Sequence, residues 1–266
     1  MEEFDRAKAT ALFKSGLGKA EGELIVSVVT PIYWYHRSSG GLTVRNGSIF
    51  FLNCGEGCFG VTAAHVVEGY RQDAIDHPSV ICQIGLDLIV DVEDRLIDFD
   101  PEIDIATIRI SADEVARPGK TVYTGAGKTW PPKPPAKDRG IIFAGFPGRE
   151  RLFPTPKAII FGVFSLGGIA NSISDRDVCY QIERSEWIDV LGRGLMPENY
   201  DMCGVSGGPM LTIVEQSGPR LTRLAGVVYS GPDVGSLDKI EGFEVVRARR
   251  ADFLLPNGQL DRARWL

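Results

Sequence analysis

Histidine is scarce in this chain: of 266 residues only three are histidines, His36, His65 and His77, so any chemistry that needs an imidazole must draw it from the N-terminal third. Long apolar runs are also lacking. The longest, around Leu24 to Tyr35, is interrupted by Ser27, Thr30 and Pro31 and falls short of the roughly 20 apolar residues that a bilayer-spanning helix requires. No membrane anchor is expected. There is no excess of positive charge, since the net charge is −6 with 24% charged residues, and nucleic acid is not an expected partner. Arg247, Arg249 and Arg250, with Arg262 and Arg264 further on, read as a solvated helix face. The start, Met1-Glu2-Glu3-Phe4-Asp5, lacks the basic and apolar regions of a secretory signal, and a cytoplasmic protein is expected. The five cysteines, Cys54, Cys58, Cys82, Cys179 and Cys203, are an odd number, which argues for reduced thiols rather than a disulfide framework. Cys54-Gly-Glu-Gly-Cys58 flanks a hairpin turn and leaves open a cross-strand disulfide or half a metal site. No second ligand pair supports zinc, so neither metal nor cofactor is expected.

What the chain does have is Gly204-Val205-Ser206-Gly207-Gly208-Pro209, a serine set between glycines on a sharp turn. Such a turn exposes a hydroxyl, but a serine hydroxyl is nearly inert at neutral pH unless a base and an orienting group accompany it. The base candidate is His65, at the end of the apolar run Gly60-Val61-Thr62-Ala63-Ala64, which reads as a strand delivering an imidazole. The orienting candidate is Asp104, at the head of the alternating segment Ile105–Ile110. Taken singly each has a plainer reading: a flexible turn, a core histidine, a strand-initiating acid. Their order discriminates. Gly204-x-Ser206-x-Gly208 also fits the nucleophile elbow of α/β-hydrolases, but that fold requires a histidine after the serine, and none follows Ser206. A subtilisin-type order needs an aspartate before the histidine, and only Asp5 precedes His65. The order that remains is His, Asp, Ser, with 39 positions between His65 and Asp104.

With Thr62-Ala63-Ala64-His65, Asp104-Ile105-Ala106 and Gly204-Val205-Ser206-Gly207-Gly208-Pro209 in that order, the chain resembles trypsin-like (chymotrypsin-fold) serine peptidases of the bacterial stand-alone type, over roughly residues 22 to 250. The resemblance implies a serine endopeptidase acting on polypeptides. His65 would be the general base, Asp104 its orienter and Ser206 the nucleophile, with the Gly204 and Ser206 backbone amides as the oxyanion hole. A gapless carry-over puts Tyr200 at the base of the primary specificity pocket, with Asp201 beside it. Its walls would come from Tyr229, Ser230 and Gly231 and from the Gly242-Phe243-Glu244 region. No strict preference for basic residues is expected. The chain departs from the family in two places: Val66 stands where secreted relatives have a cysteine, and Val205 where animal trypsins have the aspartate that pairs with a newly cut N-terminus. Folding directly into a competent site, or control from outside the chain, is therefore expected. Two alternatives stay open: a catalytically silent binding module on the same fold, and ester hydrolysis or acyl transfer through the same serine. The stretch after Ser206 is too short for the second barrel and a PDZ domain as well. Oligomeric state is not legible.

The fold class expected is all-β, two six-stranded antiparallel barrels with short helical extensions. Residues 1–21 read as an N-terminal helical extension, from the spacing of Phe4, Ala7, Ala11 and Leu12, with Gly16 and Gly18 ending the helix. A first barrel is expected over 22–128, with strands at Leu24–Val29, Gly47–Leu52, Cys58–Ala63, Val80–Ile84, Leu88–Val92 and Ile105–Ile110. The polyproline stretch Trp130-Pro131-Pro132-Lys133-Pro134-Pro135 marks an inter-barrel linker over 129–138. The second barrel, 139–250, has strand-like runs at Gly140–Gly145, Lys157–Ser165, Val178–Ile182, Pro209–Ile213, Leu221–Tyr229 and Gly242–Val246. Residues 251–266 form a C-terminal extension.

Overall fold

The computed structural model describes residues 11, 13–38, 40–124, 130–137, 139–155, 158–189, 194–197, 200–214, 221–232 and 244–265. The expected helical positions Phe4, Ala7 and Leu12, Lys157 of an expected strand, and Gly242-Phe243 of the expected pocket wall lie outside them. Strands β1 (Val29–Ser38), β2 (Gly41–Asn53), β3 (Cys58–Thr62), β4 (Ile81–Ile84), β5 (Leu88–Val90), β6 (Leu96–Asp100) and β7 (Ile105–Arg109) form one antiparallel sheet in the order β5-β4-β1-β2-β3-β7-β6. In the second half come β8 (Gly140–Gly145), β9 (Arg151–Thr155), β10 (Ala158–Phe161), β11 (Phe164–Ile169), β12 (Ser172–Ile173), β13 (Asp177–Gln181), β14 (Pro209–Val214), β15 (Leu221–Ser230) and β16 (Val245–Arg250). They build a second sheet, β11-β8-β14-β15-β16-β13-β12, while among the described residues β9 and β10 pair only with each other. The architecture is the all-β double barrel expected from the sequence, with seven strands hydrogen-bonded in each curled sheet.

The period of two along a strand explains the long apolar runs. In β2, Ile49 and Phe51 face the inside of the first barrel with Ile32, Trp34 and Ile108. Their neighbours Phe50 and Leu52 face the opposite way, into a seam shared with Ile142, Leu211 and Phe253. β8 divides in the same manner: Ile141 and Phe143 enter the second barrel with Tyr180 and Met210, and Ile142 and Ala144 enter the seam. A strand buried on both faces loses the alternating pattern, and each fully buried phenylalanine contributes about 1.5–3 kcal/mol. Pro31, inside β1, is tolerated for a local reason. Its carbonyl accepts from the Gly85 amide, so its missing N–H lies on that same edge, just ahead of the first β1–β4 pair, Ile32↔Ile84.

Several expectations are corrected. Leu24–Val29 is no strand: residues up to Val28 close helix α1 (Gly18–Val28), with Ile25 and Val28 three apart and buried in the seam while Leu24 is 41% exposed. Gly18 starts that helix rather than ending one, after a five-residue π turn at Phe13–Leu17 that Gly16 distorts at φ 117°. Strands β6, β9 and β12 were not anticipated, nor was β1 beyond Val29, and the described part of the expected Lys157–Ser165 strand is divided between β10 and β11 around Gly162 and Val163. Arg247, Arg249 and Arg250 lie on β16, not on a helix, and Arg249 and Arg250 are 6% and 8% exposed. Burying them is tolerable because each meets a carboxylate, Asp177 for Arg249 and Asp252 for Arg250. The five cysteines carry no disulfide. Cys54 and Cys58 bracket the β2–β3 turn, and burial pushes their thiols up, to about 12 and about 11, away from the reactive thiolate. Among the described residues no helix is long and apolar enough to cross a membrane, and no group of three or more histidine, cysteine or acidic side chains could hold a metal ion.

Candidate active site

β3 stops at Thr62, Ala63 stays extended at φ −77° and ψ 146°, and helix α2 (Ala64–Asp76) begins at the next residue. His65 therefore sits in the first turn of a helix, two residues past the end of the expected Cys58–Ala63 strand. The first amides of a helix have no partner within it, and the His65 amide finds one in Asp104 Oδ1 at 3.0 Å. The same carboxylate meets the imidazole: Nδ1 lies 2.9 Å from Oδ2 and 3.1 Å from Oδ1. An ionised carboxylate only accepts, so Nδ1 carries the hydrogen, and in the neutral ring Nε2 is then the nitrogen with the lone pair. Asp104 itself has φ 59°, a left-handed conformation that aspartate tolerates better than most residues. It is held there. The Asp104 amide donates to the Asp100 carbonyl at 2.9 Å, and the Asp100 carboxylate accepts from the Glu102 and Ile103 amides at 3.0 Å each. The imidazole side chain is 44% exposed and the carboxylate 17%.

The serine loop enters from the second barrel, between Met202 and the start of β14. The Cys203 carbonyl accepts from the Gly148 amide at 2.7 Å and the Val205 carbonyl from the Gly208 amide at 2.9 Å. In a trans peptide the N–H points opposite to the C=O, so these two bonds turn the Gly204 and Ser206 amides toward the other side. Among the described residues neither of those amides donates a hydrogen bond, although the Val205, Gly207 and Gly208 amides all do. Gly204 has φ 103°, and a Cβ on it would lie 2.6 Å from the Phe146 carbonyl and 2.7 Å from Asn46 Nδ2. At Gly207, with φ 88°, a Cβ would collide with the Ser48 carbonyl and the Thr62 hydroxyl. The Ser206 hydroxyl donates to the Tyr229 carbonyl at 3.4 Å. Among the described residues no hydrogen bond joins Ser206 to His65.

Ser48, to which the sequence analysis gave no role, fastens this loop to the first barrel, with Asn46 and Thr62 bonded beside it. Ser48 uses every polar group it has: its amide donates to the Ser206 carbonyl at 2.8 Å, and its hydroxyl donates to the Gly204 carbonyl at 2.8 Å and accepts from the Phe146 amide at 2.9 Å. Its carbonyl accepts from the Thr62 hydroxyl at 2.7 Å. Asn46 donates to the Phe146 carbonyl at 2.6 Å. Thr62 stands three positions before His65, so one hydrogen-bonded set spans both loops. The available signal was a polar residue within an apolar strand run: Ser48 and Thr62 are 0% exposed, and a buried hydroxyl is normally hydrogen-bonded.

No protein-family profile and no curated protein matches the chain. Among solved structures it is similar to the active form of the Rv3671c protease from M. tuberculosis, with 15% identity, 86% of this chain and 78% of that one covered, and a TM-score of 0.40. So slight a likeness transfers no property to this chain, and the reading of the site rests on its own geometry.

The residues expected around the specificity pocket are divided. Tyr229 presents its carbonyl to Ser206, and Ser230 pairs with Arg247 across the sheet. Behind Gly231 lies Met202, whose Cβ would be 3.3 Å from a Cβ at that glycine. Tyr200 is built into the second barrel's core, 5% exposed, its ring 5.3 Å from that of Phe164. Its hydroxyl donates to Glu150 at 2.6 Å, and burial together with that bond pushes its pKa up. Asp201 turns back to accept from the Cys203 amide at 2.8 Å. Glu244 is ion-paired with Arg184 at 2.6 Å.

Proposed function

We propose that the chain is a serine endopeptidase in which Ser206 attacks the scissile carbonyl, His65 Nε2 takes the serine proton, and Asp104 holds the imidazole through Nδ1. The oxygen that becomes negative in the tetrahedral intermediate would be received by the Gly204 and Ser206 amides. His65 then returns the proton to the leaving amine, and water repeats the sequence on the acyl-enzyme. The observation that carries this reading is that, among the described residues, the Gly204 and Ser206 amides donate no hydrogen bond, on a loop fastened to Ser48, whose carbonyl in turn accepts from Thr62 at the end of the strand that leads into the His65–Asp104 pair. Each such donor typically supplies about 3 kcal/mol to the transition state. For reaction, the Ser206 hydroxyl has to leave the Tyr229 carbonyl and meet Nε2. Catalytic hydrogen bonds are commonly long or misaligned before substrate arrives. The end of β15, Tyr229 and Ser230 leading to Gly231, would offer backbone groups to an extended polypeptide. Covalent labelling of Ser206 by a fluorophosphonate, followed by intact mass, tests the proposal: one adduct on the native protein that Ser206→Ala abolishes supports it, and an unlabelled native protein refutes it.

A further inference from the structure

Arg249 is a buried cation outside the three-residue site, and its contacts reach both halves of that site. On β16 it sits opposite Asp177 of β13 and Val227 of β15, and its side chain is 8% exposed. Nη1 meets Asp177 at 2.7 Å, while Nε crosses the barrel boundary to donate to the Ile103 carbonyl at 2.6 Å. The guanidinium lies between two rings, 4.6 Å from the centroid of Tyr229 and 4.6 Å from that of Trp265. Tyr229 is the residue whose carbonyl accepts the Ser206 hydroxyl.

The Ile103 carbonyl belongs to the peptide unit whose nitrogen is that of Asp104. That unit is fixed at both ends, its oxygen by Arg249 and its N–H by the Asp100 carbonyl at 2.9 Å. A peptide unit held at oxygen and hydrogen cannot turn about its flanking bonds, so it sets the direction in which Asp104, at φ 59°, projects its carboxylate. An ion pair with Asp177 alone would not require the Nε contact. Arginine satisfies both partners because its donors diverge from one rigid plane, whereas the single ammonium of lysine cannot reproduce that fork.

The geometry points to Arg249 as a positioning residue, which through the Ile103 carbonyl holds the turn bearing Asp104 so that its carboxylate fixes the Nδ1–H form of His65. The role rests on the proposed peptidase reading for its catalytic consequence, but not for its effect on the imidazole.

Two variants separate positioning from simple stability. Arg249→Met combined with Asp177→Leu replaces a buried ion pair by apolar side chains, an exchange that is often neutral or stabilising. Arg249→Lys keeps the charge beside Asp177 and loses the fork. The readout is the ¹⁵N shift pair of the His65 ring, assigned with His65→Ala, which distinguishes Nδ1–H from Nε2–H in the full-length protein. The native protein should show the Nδ1–H form, and both variants, folded by circular dichroism, should shift toward Nε2–H and label with fluorophosphonate at least tenfold more slowly. An Nδ1–H form retained in a folded variant overturns the role, as does a native protein already in the Nε2–H form. If the double variant does not fold, the lysine variant decides. A native protein that fails to label sinks the peptidase reading, and the ring shifts still settle what Arg249 does.

Discussion

Replacing Ser48 by alanine removes one oxygen and leaves two main-chain groups, one buried and one part-buried, without their partners. The Phe146 N–H loses its acceptor and the Gly204 carbonyl its donor, at a position where the side chain is fully buried and water cannot substitute. Leaving a buried polar group unsatisfied costs about 1–3 kcal/mol, so Ser48→Ala should destabilise by about 2–4 kcal/mol once local relaxation is allowed. Catalysis should suffer separately. The Gly204 carbonyl belongs to the peptide between the Gly204 and Ser206 amides, and freeing it loosens the backbone that orients both N–H groups. Loss of one such donor typically costs about 10²–10³ in rate. The Ser48 amide bond to the Ser206 carbonyl survives the change, so the loop remains attached and the effect on rate is not one of detachment. Urea unfolding measures the first effect, and the second-order rate of fluorophosphonate labelling, taken well below the unfolding transition, measures the second. A variant that unfolds at the native urea midpoint and labels at the native rate would refute the assignment of Ser48 as the fastener between barrels.

Gly204→Ala should reduce labelling by at least 10²-fold, because φ 103° and the nearby Phe146 carbonyl and Asn46 amide leave no space for a methyl group; a near-native rate would show that this backbone can reorganise freely. Glu114 closes a capping box with Ser111 and pairs with Arg95 at 2.9 Å, and that hydrogen bond holds its carboxyl down at about 2. Since its folded value lies below the ordinary 4.5, its contribution is complete above about pH 5 and lost as pH falls toward 2. Glu114→Gln should flatten that part of the stability profile, by less than about 1 kcal/mol for a pair near the surface, and an unchanged acid limb in thermal melts would exclude the pair as a contributor.

The meeting of His65 and Asp104 was legible because an imidazole and a carboxylate that must work together restrict which residues can serve, and only three histidines were available. How His65 is delivered was not. Ala63-Ala64-His65-Val66-Val67 suits a strand or a helix equally by composition, and the decision falls to Thr62, whose hydroxyl ties the strand end to Ser48 and lets a helix begin beyond it. The arginines of β16 were misread for a different reason. The partners of Arg249, Asp177 and Ile103, lie far away in sequence, so local patterning could show only a charged stretch. β6 was hidden likewise: Asp98 and Asp100 look like turn residues until Arg262 pairs with both, at 2.7 and 2.8 Å. Runs such as Ile49–Leu52 and Gly140–Gly145 were readable as strands. Which residues faced the seam was not, since both faces are apolar.

The central claim is that Ser206 is an activated nucleophile, and intact-mass analysis after fluorophosphonate treatment of the native protein, Ser206→Ala and His65→Ala tests it most directly. The account predicts a single adduct on the native protein, none on Ser206→Ala and strongly slowed labelling of His65→Ala. A native protein that remains unmodified, or a His65→Ala variant that labels at the native rate, would contradict it.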